Sequence, residues 1–399
     1  MTTTKPHIAI LGSGPTGLEA ALAAAESGFP FTVYEAAPEV AGNVRAWGHI
    51  RLFTPWELNV SPRMRKHLAA AGIEPPDGAE CPTGHELAEK LLSPLASLPS
   101  IAPNLRLGTR VLAIGREGLL KHQEISTPER GRRPFRLLLA GADGREWTEN
   151  ASVVIDATGT YGNPNRLGDG GIPAPGERAL DGAIRRSIPD LSREAADWAG
   201  KTVLLAGSGH SAQTAARDLA ALAKDAPGTR VIWALRTGAP SWGSHEGDPL
   251  PERARLAADA QALASGASPA VEARRGVAVE EISRPDGKLR IVLRNGARSE
   301  EVLADRILSL TGYVGDHELY RQLQVHECYA TCGPIKLSAA LLGAAGGDCL
   351  TQTSHGVEAL TNPEPSLYIL GSKSYGRTNT FLMRVGWDQV AEVFGTLGG

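Results

Sequence analysis

Residues 7–35 read HIAILGSGPTGLEAALAAAESGFPFTVYE, and residues 202–236 read TVLLAGSGHSAQTAARDLAALAKDAPGTRVIWALR. Each segment contains a short apolar strand, a Gly-x-Gly turn, an Ala-rich helix and a second apolar strand, which is the pattern of a βαβ unit. The two copies lie roughly 200 residues apart, which is far too long a period for a solenoid. The sequence therefore predicts that one domain of this kind is inserted into another.

The first glycine turn has the G-x-G-x-x-G spacing of a dinucleotide-binding site. The first glycine permits a tight turn, the second lets the backbone approach a pyrophosphate, and the third lets the helix pack closely on the strand. The helix N-terminus then faces the phosphates. Glu35, at the end of the second strand, can accept hydrogen bonds from two ribose hydroxyls. The candidate cofactor-binding residues of this turn are Gly12, Gly14, Pro15, Thr16 and Gly17.

The second turn repeats the first, but its second strand ends in Arg236 where the first ends in Glu35. A carboxylate at this position would repel a 2′-phosphate, whereas a guanidinium would pair with it. We therefore expect FAD in the first site and NADPH in the second. The alternative for Arg236 is an ordinary solvated surface arginine. The candidate cofactor-binding residues of the second turn are Gly207, Gly209, His210, Ser211 and Ala212.

The remaining pattern suggests how the two units are divided. Apolar runs predict a hairpin at 135–140 and 145–155, a second hairpin at 277–283 and 288–293, a last strand at 366–370 and a last helix at 379–396. The predicted fold class is α/β, with two nested Rossmann-like dinucleotide-binding domains and antiparallel hairpin insertions. The predicted FAD-binding domain comprises residues 1–165 and 301–399, and the predicted NADPH-binding domain comprises residues 166–300.

Composition narrows the function classes. The chain has 399 residues and a net charge of −3, and it has no long basic stripe, so nucleic acid is not an expected partner. It has no uninterrupted apolar stretch long enough to span a membrane, and its start does not resemble a signal peptide. Its four cysteines fit a reducing cytoplasm. We expect a cytoplasmic protein that acts on a small molecule and binds no metal.

The sequence resembles the flavoproteins with two dinucleotide-binding domains. These include the thioredoxin reductase-like proteins and the class B flavin monooxygenases with their N-hydroxylating relatives. The resemblance covers essentially the whole chain and implies that a hydride passes from the nicotinamide to the flavin. In this superfamily Thr158 and Gly159 would mark a crossing between domains beside the cofactor. The motifs are GSGPTG at 12–17, DATGTYGNPN at 156–165, GSGHSA at 207–212 and SLTGYVGD at 309–316.

Ser211 and the TGY-x-x-D pattern look more like the monooxygenase branch, but the chain departs from the superfamily in two places. The monooxygenase signature needs a histidine before the second glycine turn, and residues 171–184, GIPAPGERALDGAI, contain Gly176 but no histidine. This absence weakens the prediction of oxygen insertion. The usual Gly-Asp pair that meets the flavin ribityl chain is Gly371-Ser372 here, which predicts a different ribityl contact.

The cysteines argue against an internal dithiol relay. In the superfamily, the redox-active pair lies just after the first βαβ unit or inside the NADPH domain, and residues 36–80 and 197–300 contain no cysteine. We expect Cys328 and Cys332 to be ordinary packing or surface residues, and Cys349 to be a buried, inert thiol. The alternative for Cys349 is a single reactive thiol near the substrate. Reduced flavin would then react directly with oxygen or with a small substrate.

Residues 371–381, GSKSYGRTNTF, lie between the last strand and the last helix. The resemblance implies that the N-terminus of this helix points at the flavin ring, where its dipole would stabilise reduced flavin. Thr378 and Asn379 are suitable N-cap residues. His355 is the candidate for proton transfer. The alternatives are a solvated loop for residues 371–381 and a structural, hydrogen-bonded role for His355. The candidate catalytic residues are His355, Lys373, Tyr375 and Arg377, and Gly371 and Thr378 are candidate cofactor contacts.

Residues 43–59, NVRAWGHIRLFTPWELN, would run along FAD after the ribose site. Their polar side chains could meet phosphate or flavin atoms, and their aromatic side chains could wall the ring or the substrate pocket. The alternative is that the aromatic residues close a small core. The candidate cofactor contacts in and near this stretch are Asn43, Arg45, Arg51 and Trp56, together with Val111.

The expected function is that of an NADPH-dependent FAD oxidoreductase, with monooxygenation as the preferred reaction. In the monooxygenases that the chain resembles, O2 adds to reduced FAD as a C4a-(hydro)peroxyflavin, and one oxygen passes to a small nitrogen or sulfur centre. One alternative is an NADPH-dependent reductase of a small disulfide or quinone-like acceptor without its own dithiol. A second alternative is a non-catalytic flavoprotein that senses redox state.

Overall fold

The computed structural model describes residues 5–243, 248–343, 350, 352–378 and 380–398. The chain divides into two compact units, of which the first consists of Met1–Asn163 and Val314–Gly399 and the second of Pro164–Tyr313. The predicted insertion, residues 166–300, lies within the second unit. The predictions for Cys349 and Asn379 fall outside the described residues.

The β-strands are numbered in chain order over the described residues. They are β1 Ile8–Leu11, β2 Phe31–Tyr34, β3 Leu105–Arg106, β4 Thr109–Arg116, β5 Phe135–Gly141, β6 Glu146–Ala151, β7 Val153–Asp156, β8 Ile184–Arg185, β9 Thr202–Ala206, β10 Arg230–Leu235, β11 Val271–Arg275, β12 Ala278–Ser283, β13 Leu289–Asn295, β14 Arg298–Ala304, β15 Arg306–Ser309 and β16 Leu367–Ile369.

The α-helices are numbered in the same way, and a π-helical turn, Ala88–Leu92, joins the fifth to the sixth. They are α1 Pro15–Glu26, α2 Gly42–Ala46, α3 Trp56–Asn59, α4 Pro62–Ala70, α5 Gly84–Leu87, α6 Ser93–Ala96, α7 Pro128–Arg132, α8 Leu191–Trp198, α9 His210–Asp225, α10 Pro251–Ala264, α11 Ile335–Gly343, α12 Val357–Leu360 and α13 Met383–Leu397. In the described ranges, no helix is both long enough and apolar enough to cross a membrane.

Each unit is built on a five-stranded parallel sheet. The strand order is β16-β7-β1-β2-β3 in the first unit and β11-β10-β9-β15-β8 in the second. The short apolar runs that form the central strands are buried on both faces, as parallel strands covered by helices must be. This arrangement confirms the predicted α/β fold with two Rossmann-like units.

Each unit also carries a three-stranded antiparallel sheet, β4-β5-β6 in the first and β12-β13-β14 in the second. These sheets confirm the predicted hairpin insertions. The structure corrects one element, because the predicted single arm at 145–155 is two strands. Its first part, β6, pairs with β5, and its second part, β7, pairs with β1 in the parallel sheet. The change of partner occurs at Ser152, between the two strands.

The order of strands decides where the site lies. Leu11, the last residue of β1, pairs with Asp156, the last residue of β7, and Ile369 of β16 pairs with the same Asp156. Three parallel strands therefore end side by side in the first unit. Ligands of open α/β sheets bind beyond the carboxyl ends of such strands, where the direction of connection changes.

A buried ionic cluster fastens the antiparallel sheet of the first unit to residues near the end of the chain. Glu364 Oε1 lies 2.7 Å from Arg116 Nε, and its Oε2 lies 2.7 Å from Arg130 Nη2. The backbone N–H of Gln324 donates a further hydrogen bond to Oε2 at 2.7 Å. The guanidinium of Arg116 also lies over the ring of Phe135, 3.6 Å from its centroid. The three charged side chains are buried, so each depends on the others for its stabilisation.

We expect Glu364→Ala to lower the free energy of unfolding by about 3–5 kcal/mol, because it leaves two buried arginines without a counter-ion. The measurement is a urea unfolding curve of each variant. The control is Glu318→Ala, which removes the exposed ion pair with Arg321 and should change stability by less than about 1 kcal/mol. Equal stability of the two variants would show that the cluster is not needed to hold the fold.

Candidate functional site

The first glycine turn connects β1 to α1, and two of its glycines serve different purposes. Gly12 has φ +93°, and a Cβ built there would lie 2.8 Å from the carbonyl oxygen of Ala157. The protein itself therefore requires glycine at this position. Gly14 has an ordinary extended conformation, and no protein atom lies within 4 Å of a Cβ built there. The space beside Gly14 fits the close approach of a pyrophosphate to the N-terminus of α1.

Glu35 lies directly after β2 and is joined to the glycine turn. Its Oε2 accepts hydrogen bonds from Ser13 N at 2.9 Å and from Ser13 Oγ at 2.6 Å. Its Oε1 accepts one from Ala37 N at 2.9 Å. A carboxylate has about four acceptor positions, and three are used here, so one remains for a ribose hydroxyl. A second ribose hydroxyl would bind if it replaced the Ser13 hydroxyl on Oε2. This geometry fits the predicted role of Glu35, and Ser13 is a neighbour that the sequence pattern alone did not single out.

The structure brings the turn together with two distant candidate positions. A Cβ at Gly371 would lie 2.8 Å from Thr16 Oγ1, and a Cβ at Gly159 would lie 3.5 Å from Ser372 Oγ. The backbone N–H of Gly371 donates to Gln389 Oε1 of α13 at 2.8 Å. Residues from the ends of β1, β7 and β16 therefore form one continuous surface. The predicted residues that meet there are Gly12, Thr16, Thr158, Gly159 and Gly371.

Lys373, a predicted catalytic residue, is completely buried. Its Nζ lies 2.6 Å from Asp156 Oδ2 and 3.2 Å from Thr158 Oγ1. Asp156 Oδ1 in turn accepts hydrogen bonds from Thr158 N at 3.0 Å and from Thr158 Oγ1 at 2.7 Å. The Lys373 ammonium also lies 5.1 Å from the centroid of the Tyr320 ring. In this structure Lys373 joins the turn after β16 to the end of β7, so its contacts are those of a positioning residue.

Tyr375 and Arg377 follow on the same segment but face different surroundings. Tyr375 is buried, its ring centroid lies 5.4 Å from that of Phe381, and its hydroxyl has no hydrogen-bond partner among the described residues. Burial raises the pKa of Tyr375 to about 12, so its phenol stays protonated well into the alkaline range. Arg377 is exposed, and its Nε donates a hydrogen bond to Cys332 Sγ at 3.2 Å.

The start of the last helix differs from the prediction. The helix begins at Met383, and Leu382 occupies the N-cap position without a side-chain hydrogen bond. Thr378 lies upstream in a turn closed by its backbone hydrogen bond to Tyr375 O at 3.0 Å. The expectation that Thr378 caps this helix is therefore wrong, because the helix begins five residues further along the chain, at Met383.

His355 lies on a segment attached to α13. Its neighbour Ser354 donates to Glu392 Oε2 at 2.7 Å, in the third turn of the helix. His355 itself is half-buried, and within the described residues its Nε2 has no hydrogen-bond partner. No contact in the described structure joins His355 to the glycine turn, so its proposed role in proton transfer has no geometric support here.

The candidates from residues 43–59 separate into two groups. Asn43 Nδ2 lies 3.5 Å from Thr158 O, beside the strand ends. The others have structural partners, since Arg45 donates to Val40 O and Ser93 Oγ, Arg51 donates to Cys81 O, and Trp56 lies in the core. Val111, from β4, packs against a core that includes Leu11 and Tyr34.

The second unit repeats the glycine geometry. Gly207 has φ +122°, and a Cβ there would overlap the carbonyl oxygen of Leu310, whereas a Cβ at Gly209 would meet no protein atom within 4 Å. His210 and Ser211 begin α9, and Ala212 is buried beneath the turn. Arg236 is exposed directly after β10, at the position that Glu35 occupies after β2. These positions fit the predicted second dinucleotide site.

Three residues that support the second turn were not predicted. Trp233 Nε1 donates to Gly207 O at 2.8 Å. Gln213 Nε2 donates to Ser208 O at 2.9 Å and to Trp242 O at 3.0 Å. The centroids of the Trp233 and Trp242 rings are 5.5 Å apart. These contacts fix the turn from both sides, and a polar residue in the first turn of α9 is the one sequence signal that could have suggested them.

The comparisons with known proteins agree with this geometry. The sequence profile of the pyridine nucleotide-disulphide oxidoreductase family matches residues 6–328, and the chain belongs to that family. No curated protein sequence matches the chain.

Several solved structures share the fold. Bacillithiol disulfide reductase Bdr (YpdA) from Bacillus cereus is 18% identical, with 99% of each chain covered and a TM-score of 0.70. Thioredoxin reductase from T. acidophilum is 15% identical, with 98% of this chain and 99% of that chain covered and a TM-score of 0.60. Ornithine hydroxylase (PvdA) from Pseudomonas aeruginosa is 17% identical, with 99% of each chain covered and a TM-score of 0.59.

The protein is therefore an oxidoreductase of the flavoprotein superfamily with two dinucleotide-binding domains, as its sequence motifs indicated. The family and the two open glycine turns support FAD and NADPH as its cofactors. At these levels of identity the solved structures establish the fold, and they include both disulfide reductases and hydroxylases.

Gly14→Ala and Gly209→Ala test the two turns separately, because neither new methyl group would touch a protein atom. We expect Gly14→Ala to lower the amount of FAD retained after purification, with the unfolding midpoint of the flavin-free protein unchanged. We expect Gly209→Ala to raise the KM for NADPH and to leave FAD retention unchanged. Absorbance spectra and initial rates measure the two effects.

The matched control is Gly115→Ala in β4, where a methyl group likewise meets no protein atom. This variant should keep both cofactor affinities. Normal FAD retention by Gly14→Ala would contradict the assignment of the first turn.

Proposed function

We propose that the first unit binds FAD and the second binds NADPH. The main support is that each unit has an open glycine turn and a charged residue after its second strand. That residue is negative in the first unit and positive in the second. Gly14 is followed by Glu35, which can accept ribose hydroxyls, and Gly209 is followed by Arg236, which can pair with a 2′-phosphate. The domain boundaries at Asn163/Pro164 and Tyr313/Val314 would then separate the two cofactors.

When bound, FAD would supply the redox chemistry by accepting a hydride from NADPH and returning two electrons to an acceptor. The residues of the chain would bind and orient the cofactor. The N–H groups at the start of α1 would face the pyrophosphate, and Glu35 would hold the ribose. Gln389 would keep the backbone of Gly371 in place, while the Lys373–Asp156 pair would hold the turn after β16 against β7.

We propose oxygen as the acceptor and a small nitrogen or sulfur compound as the substrate that is oxygenated. Two sets of polar groups at the strand ends support this proposal because they are buried and paired with one another. Lys373 pairs with Asp156, and Gln389 bonds both Gly371 N and Ser374 Oγ. These pairs need no water molecule to complete their hydrogen bonds. Exclusion of water from a site protects reactive intermediates from side reactions.

Reduction of a small external disulfide is the second candidate function. It is favoured by membership of the pyridine nucleotide-disulphide oxidoreductase family and by the likeness to a bacillithiol disulfide reductase. It is also compatible with the absence of cysteine from residues 36–80 and 197–300, since an external disulfide could react without a dithiol in those segments.

The deciding experiment is anaerobic reduction of the purified protein with NADPH, followed by rapid mixing with oxygenated buffer. For a monooxygenase we expect a transient flavin spectrum before reoxidation, and faster decay of that spectrum when an amine or thiol substrate is present. Slow, direct reoxidation combined with rapid turnover of a disulfide would favour the reductase instead. If NADPH does not reduce the flavin at all, both proposals fail.

Arg236→Ala tests the choice of nucleotide. Loss of a charge-assisted contact with a phosphate costs about 1.5–3 kcal/mol, which corresponds to a rise of roughly 10- to 100-fold in the KM for NADPH. The KM for NADH should stay the same. The control is Arg230→Ala, at the opposite end of β10, and an equal KM for NADPH in both variants would contradict the role given to Arg236.

A further inference from the structure

Cys328 and Cys332 lie in one tight turn of the first unit. Cys328 N donates to Gly333 O at 2.8 Å, Cys332 N donates to Cys328 O at 2.7 Å, and a β-bridge joins Glu327 to Pro334. An i to i+4 backbone hydrogen bond holds two Cα atoms about 6 Å apart. Disulfides span Cα separations of about 4.4–6.8 Å, so the backbone separation in this turn is compatible with a disulfide.

The two thiols have different surroundings. Cys332 is partly exposed, its backbone is left-handed with φ +58°, and Arg377 Nε lies 3.2 Å from its sulfur. Reactive cysteines in proteins are typically partly exposed and lie beside positively charged groups. A non-glycine residue in this conformation is strained. Cys332 thus has the accessibility and the charged neighbour of an attacking thiol.

Cys328 is buried beneath the same turn. Hydrogen bonds from the backbone of Thr331, the hydroxyl of Thr331, the backbone of Ala330 and the hydroxyl of Ser338 lower the pKa of its thiol. Thr331 Oγ1 and Ser338 Oγ are themselves 2.6 Å apart. Tyr329, at the tip of the turn, is exposed. A buried thiol beside an accessible one is the arrangement expected of a resolving cysteine.

We propose that Cys328 and Cys332 form a reversible intrachain disulfide by exchange with low-molecular-weight disulfides. The Cys332 thiolate would attack one sulfur of the small disulfide, break its S–S bond and release one small thiolate. The Cys328 thiolate would then attack the Cys332 sulfur of the mixed disulfide and release the second. The pair loses two electrons and two protons overall, and the small disulfide gains them as two thiols.

This site corrects the expectation that both cysteines are ordinary packing or surface residues. The site also contacts the segment that follows β16, because Arg377 N donates to Thr331 O at 2.6 Å and Arg377 Nε donates to Cys332 Sγ at 3.2 Å. Formation of the disulfide would change the second of these contacts. The inference does not depend on the reaction that the flavin performs, since no step of it uses FAD or NADPH.

The test uses the FAD-bound protein with its thiols reduced and without NADPH. The protein carries Cys81→Ser and Cys349→Ser, so that only the thiols of Cys328 and Cys332 remain. The probe is bis(2-hydroxyethyl) disulfide, with released thiol and intact mass followed over time. We expect two equivalents of thiol per chain, a loss of two hydrogen atoms in mass, and a peptide map that links Cys328 to Cys332. A stable mixed disulfide, or no reaction, would overturn the proposal.

Single substitutions in the same background separate the two roles. Cys328→Ser should release one equivalent and stop at a mixed disulfide on Cys332, whereas Cys332→Ser should react at least tenfold more slowly than the parent. Arg377→Gln should slow the first step with the final disulfide unchanged, because it removes the charge beside Cys332 but neither sulfur. Equal rates for Cys328→Ser and Cys332→Ser would contradict the order of attack.

Discussion

The close approach of the β1–α1 turn to the end of β7 is the constraint on which the rest of the first unit depends. A Cβ at residue 12 would lie 2.8 Å from the carbonyl oxygen of Ala157, so the two strand ends can be neighbours only if that residue is glycine. With the strands in this register, Asp156, Thr158 and Gly159 lie beside the turn. The second unit obeys the same constraint at Gly207 and Leu310. One backbone requirement thus explains both halves of the repeat.

The buried pair of Lys373 and Asp156 builds on that constraint. Taking two charges out of water is costly unless they are paired and hydrogen-bonded, and here Thr158 supplies additional hydrogen bonds to Asp156 and accepts one from Lys373. The pair joins the last residue of β7 to the turn after β16, over a separation of 217 residues in sequence. Lys373, a candidate catalytic residue in the sequence, has the contacts of a positioning residue in the structure, because it holds the turn after β16 against the end of β7.

The turn that contains Cys328 and Cys332 is bonded to the same segment as Lys373, at its exposed end. Its backbone accepts a hydrogen bond from Arg377, and one of its sulfur atoms accepts another from the same residue. The segment of residues 371–377 therefore has a buried end, anchored by Lys373, and an exposed end, anchored on a thiol. Arg377 Nε donates a hydrogen bond to Cys332 Sγ, so oxidation of that sulfur would alter the contact that holds the exposed end of the segment.

The sequence by itself determined the two βαβ units, the hairpin insertions, the glycine turns and the change from Glu35 to Arg236. Those features are local, because hydrophobic periodicity and turn chemistry act over a few residues. The predicted second arm of the first hairpin, 145–155, is two strands that separate at Ser152, because its two parts pair with different strands. The predicted start of the last helix is residue 379, whereas the helix begins at Met383. Only the tertiary structure decided that Lys373 is buried on Asp156, that Gln389 holds Gly371, and that Arg377 meets Cys332. These contacts join distant segments whose proximity follows from strand order and packing, and no periodicity within a single segment records them.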